Sequence, residues 1–141
     1  MDAITYLTQL QIISELIEQM ENEKTVLYSL ATKVTTNMSM TGGGGNGDTD
    51  KIGKIIAKID ELTSRINDKI DYYIDLRCKI IDEIYKLDQF KHRVVLYKRY
   101  VQFKSWDMVA LEMNLAYSTV CNLHTQAIKD FNKILLNSKQ K

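Results

Sequence analysis

Four consecutive glycines, Gly42 to Gly45, interrupt a chain that contains no proline and whose apolar residues recur at helical spacing on both sides. A glycine tract loses too much backbone entropy on ordering to stay helical. Two long helices separated by a linker over residues 35–50, with its hinge at 41–50, are therefore expected. Before the linker, from Ala3 to about Val34, Ile4, Leu7, Ile13, Leu16, Ile17, Met20, Leu27 and Leu30 fall close to the three-and-four spacing of one helical face. After it, Ile52, Ile55, Ile59, Leu62, Ile66, Ile70, Ile80 and Ile84 continue a second stripe to Leu87. Asp2 is placed to cap the first helix, and Asp48, Thr49 or Asp50 the second. At about 1.5 Å per residue the two extend ~48 and ~54 Å, a near match in length. Neither amphipathic face is stable alone in water, so the pair either folds back as an antiparallel hairpin or associates between chains as a coiled-coil arm.

The same glycines do not make a phosphate loop, because its lysine and hydroxyl residue are missing and no strand precedes them. With 141 residues, 45% hydrophobic and 26% charged, the chain can build one modest core with an appendage. No uncharged apolar run approaches the ~18 residues of a bilayer span, and an acid at position 2 argues against a signal peptide, so no membrane association is expected. Two cysteines, Cys78 and Cys121, suit a reducing cytoplasm rather than a disulfide scaffold. Cys121 and His124 share a helix face but have no companion ligands, so neither a metal nor another cofactor is implied. No nucleophile stands at a useful spacing from a base, and paired carboxylates such as Asp60 and Glu61 diverge on a helix, so the chain does not read as an enzyme.

Charge is unevenly spread. Residues 1–41 sum to −3, residues 48–87 to −1 and residues 88–141 to +5. Two domains follow: an arm over 1–87, and a basic, compact, all-α unit of three helices over 88–141. Its first helix covers about Asp88 to Val101. Ser105 caps a second helix whose buried side would carry Trp106, Val109, Ala110 and Met113. Asn114, Leu115 and Ala116 form a turn, and a third helix starts near Tyr117 and buries Val120, Leu123, Ala127, Ile128 and Phe131. A small residue, then an Asn that tolerates a left-handed backbone, then a branched apolar residue, at Ala110, Asn114 and Val120, is the helix-turn-helix spacing.

Around that spacing, residues 79–131, with Leu87, Val95, Leu96, Arg99, Tyr100, Trp106, Val109, Ala110, Met113, Val120, Leu123, His124, Ala127 and Ile128, resemble the promoter-reading fourth region of sigma-70-type factors. The module is similar to that of phage-encoded late-transcription regulators of the ArpU and RinA type. The resemblance implies a sequence-specific DNA-binding transcription regulator of phage or prophage origin, working in the cytoplasm of a bacterial host. It places the third helix in the major groove. Base contacts would come from Tyr117, Ser118, Cys121, Asn122, Thr125 and Gln126, and phosphate contacts from Lys91, Arg93, Lys98, Lys104 and Lys129. Ala116, Tyr117 and Cys121 stand where sigma factors place a hydroxyl cap and strong donors. Either Ser118 caps a slightly later helix start, or binding relies on dimerisation or a polymerase partner. Double-stranded DNA, RNA polymerase and a second copy through the arm are the implied partners. The rival expectation is a protein-binding adaptor or an inhibitor of a host system such as RNA polymerase. On either reading His92 is expected at the surface beside the basic patch, and Arg99 on a phosphate or a core carboxylate.

Overall fold

The computed structural model describes residues 1–41 and 46–139, and among them the chain is all-α, with no strand. Helix α1 is Ala3–Thr41, α2 is Asn46–Tyr85, α3 is Phe90–Leu96, α4 is Trp106–Met113 and α5 is Tyr117–Lys139. A π-helical turn, Tyr97–Val101, continues α3. Asp2 caps α1 as expected: its carboxylate accepts the Thr5 backbone N–H at 2.9 Å, and hydrogen bonds from the Thr5 hydroxyl, then from its backbone N–H, hold the carboxyl below its usual range.

Around the glycines the helices are longer than the sequence indicates. Helix α1 runs seven residues past Val34, through Thr35 and Thr36 of the expected linker, whose hydroxyls, like that of Thr32, donate to a carbonyl one turn back, those of Ala31, Thr32 and Tyr28 respectively. Helix α2 begins at Asn46, so Asp48, Thr49 and Asp50 lie inside it rather than at its cap. Of the expected hinge at 41–50, residues 42–45 lie outside the described residues.

Two compact units make up the chain. Residues 14–72 form one, in which Ile59, Leu62 and Ile66 are buried, and Ile17, Met20, Leu27, Ala31 and Val34 are half-buried at helical spacing. The other joins Met1–Ile13 to Tyr73–Lys141. The basic unit therefore does not begin at residue 88. It takes in the first turns of α1 and the last of α2, because Ala3, Leu7, Leu10, Ile80 and Ile84 share one core with Val95, Leu96, Val109, Val120 and Phe131. The Ala3 N–H donates to Asn132 Oδ1 at 3.0 Å, stitching the start of the chain to α5. Tyr6 stacks on Phe131 at 6.2 Å between ring centroids and donates its hydroxyl to the buried Glu83 at 2.6 Å.

The expected single helix over 88–101 instead widens at its end. Gln102 N–H reaches back to Tyr97 O at 3.0 Å and Lys104 N–H to Lys98 O at 3.0 Å, and Phe103 turns the corner with a φ of 58°. A bulky residue with positive φ is strained, and the corner is held closed by side-chain contacts described below.

Candidate functional site

The site is built by α4, its exit turn and α5. Ser105 caps α4 by accepting the Met108 N–H at 3.2 Å. Asn114 ends it in the left-handed region, φ 55° and ψ 43°, with its N–H on Leu111 O at 3.3 Å and the Leu115 N–H on Ala110 O at 3.1 Å. These two bonds satisfy carbonyls that the helix end leaves open, and an Asn meets the left-handed backbone at less cost than most side chains. Val109 and Ala110 from α4 and Val120 from α5 are buried in the shared core. Two predicted core positions, Trp106 and Met113, are only half-buried. Helix α5 starts at Tyr117, with Val120 N–H on Ala116 O, so Ser118 lies within its first turn and does not cap a later start.

That geometry divides α5 into two sides. Val120, Ala127 and Phe131 are buried, while Tyr117, Ser118, Asn122, Thr125, Gln126 and Lys129 are exposed and Cys121 is half-buried. At about 100° per residue the exposed set occupies one broad polar face. Asn122 and Gln126 present amides capable of two hydrogen bonds each. The Thr125 hydroxyl donates to Cys121 O at 3.0 Å, leaving its oxygen as an acceptor.

The cations beside this face are unequal. Lys98 and Lys104 both close on Glu112 Oε1, at 2.6 and 2.5 Å, and this pairing, Lys104 first, holds the Glu112 carboxyl below its usual range. Arg99 pairs with no carboxylate among the described residues: its Nη1 donates to Lys104 O at 2.9 Å and its guanidinium lies 4.5 Å from the Trp106 ring centroid. These contacts hold the strained corner at Phe103. Lys91 and Lys129 are exposed, and Arg93 is half-buried, with its Nε lacking a hydrogen-bond partner. His92 is not at the surface. It is 2% exposed, with Nδ1 at 3.1 Å from Asp130 Oδ2.

His124 faces inward too. Its Nε2 lies 2.7 Å from the Tyr100 hydroxyl and its ring meets Trp106 edge-on at 4.5 Å, and among the described residues no cluster of three potential metal ligands occurs. Burial, reinforced by the Arg99 charge, holds the imidazole below its ordinary pKa, and burial pushes the Tyr100 hydroxyl up. A base with a lowered folded pKa gives stability that is complete above its unfolded value, about 6.5, and declines as pH falls toward the folded value. Melting curves between about pH 7.5 and pH 5 are expected to show a steeper acid loss for the wild type than for His124→Phe. Equal slopes would exclude His124 as the source.

No family model, curated protein or solved structure matches this chain. Glu112, the His92–Asp130 pair and Lys133 were not among the residues expected from sequence. Glu112 falls eight residues from Lys104, a spacing that marks no contact until the corner is built.

Proposed function

We propose that the protein is a sequence-specific DNA-binding transcriptional regulator of phage or prophage origin, whose helix-turn-helix α4–α5 sets α5 in the major groove. The observation that carries this reading is the polar face of α5, with Asn122 and Gln126 exposed on it and the core on the opposite side. A side-chain amide makes two hydrogen bonds to adenine, and a hydroxyl such as that of Ser118 serves several bases. The left-handed Asn114 beside the close-packed Ala110 is the turn such a motif requires. Residues 14–72 are read as an antiparallel hairpin or coiled-coil arm that supports dimerisation or engages RNA polymerase. Its exposed Leu16, Val26, Leu30 and Ile56 supply apolar surface for either partner.

A second reading, a protein-binding adaptor or polymerase inhibitor, is favoured by one observation. An apolar depression lined by Ile84, Tyr85, Phe90, Val94 and Tyr97 lies on the same unit, and Phe90 in it is 71% exposed. Binding of mixed-sequence duplex DNA across a salt series separates the two. Phosphate-driven binding weakens linearly in log affinity against log salt, whereas an adaptor shows no duplex binding even at low salt.

A further inference from the structure

Glu112 engages both Lys98 and Lys104 and offsets one of their two charges, so a nucleic-acid backbone needs further cations elsewhere. A polar cleft between the start of α3 and the middle of α5 is lined by Gln89, His92, Gln126, Lys129, Asp130 and Lys133. Lys129 and Lys133 are exposed one helical turn apart, and Lys129 also belongs to the polar face of α5. The floor is unusual. The His92 side chain is 3% exposed, yet neither ring nitrogen makes a hydrogen bond; Nδ1 lies 3.1 Å from Asp130 Oδ2 without the alignment of one. In either tautomer the ring carries a buried N–H without an acceptor, which costs free energy in the unliganded protein. Asp130 stands at the same wall, and Lys133 Nζ lies 3.9 Å from its other oxygen, at the limit of an ion pair.

We infer that this cleft is a seat for a backbone phosphate, held by the Lys129 and Lys133 ammoniums and the Gln89 amide, with the unsatisfied His92 N–H at its wall. The seat rests on the DNA-binding reading and names where its electrostatic anchor lies. A phosphate is the ligand whose chemistry fits: it accepts from lysine, amide and imidazole donors together, and it brings the negative charge that two adjacent lysines favour. Because the cleft adjoins Lys129, a duplex seated there keeps the exposed turns of α5 directed at its groove.

The test uses the full chain and a mixed-sequence duplex. Lys129→Gln/Lys133→Gln is expected to weaken binding and flatten the log–log salt slope by about 1, because the two lysines share one phosphate contact. Asp130→Asn, which removes the opposing charge but keeps its hydrogen-bonding capacity, is expected to tighten binding. Lys51→Gln/Lys54→Gln, the same charge change at two exposed lysines of the 14–72 unit, should leave the slope in place. If the wild type binds duplex but the two double variants lose slope equally, or the cleft variant keeps it, the seat is wrong and DNA binding stands. If the wild type does not bind duplex at low salt, both fail.

Discussion

Phe131→Ala is expected to destabilise the unit formed by residues 1–13 and 73–141 by about 3–5 kcal/mol, the range for truncating a buried phenylalanine. Phe131 is fully buried and is the largest side chain with no exposure among the described residues. It stacks on Tyr6, whose hydroxyl serves the buried Glu83, and its neighbour Asn132 accepts the Ala3 N–H. Shortening the ring opens a cavity where α5, α1 and α2 meet. It also loosens the tyrosine that gives Glu83 its hydrogen bond, and Glu83 Oε2 already lacks a partner. Urea denaturation followed by circular dichroism reads the loss. A change below about 1 kcal/mol would mean that α5 is not anchored on the beginning of the chain.

Glu112→Gln is expected to strengthen duplex binding and to steepen its salt dependence by about 1, because the one carboxylate charge that offset the two ammoniums is gone. Lys98 and Lys104 were expected from sequence to face phosphates, and in the structure Glu112 occupies both. Removing the carboxylate charge frees them while an amide oxygen still accepts one hydrogen bond. The cost falls on the corner at Phe103, where Glu112 helps to hold the chain, so a modest drop in melting temperature is expected alongside. Tighter binding by a less stable protein distinguishes a charge effect from better folding. Unchanged affinity would place Lys98 and Lys104 away from the nucleic acid.

Local signals carried the reading furthest at α4, its turn and α5. Ser105, Ala110 and Asn114 act within a few residues of themselves, so the cap, the left-handed turn and the start at Tyr117 stand where their spacing puts them. The stripe on α2 was likewise legible from period alone. Long-range placement was not. That Ala3, Leu7 and Leu10 join the C-terminal core depends on contacts across the length of the chain, such as Ala3 with Asn132, which periodicity on α1 cannot reveal. Helix α1 passed Val34 through Thr35 and Thr36, residues whose helix propensity leaves the choice open and whose hydroxyls lie bonded one turn back. At the site the exposed face of α5 was readable residue by residue. Which cations remain unpaired was not, since Glu112 and Asp130 become partners only after the corner and the α3–α5 packing form.

On the proposed reading α5 meets duplex DNA through the exposed Lys91 and through the Lys129–Lys133 seat, and equilibrium binding of the wild-type chain to a duplex over rising salt tests this most directly. With one phosphate contact at Lys91 and one at the seat, the log affinity is expected to fall against log salt with a slope of about −2 per protomer. A slope near zero, or no complex at about 50 mM salt, would contradict it.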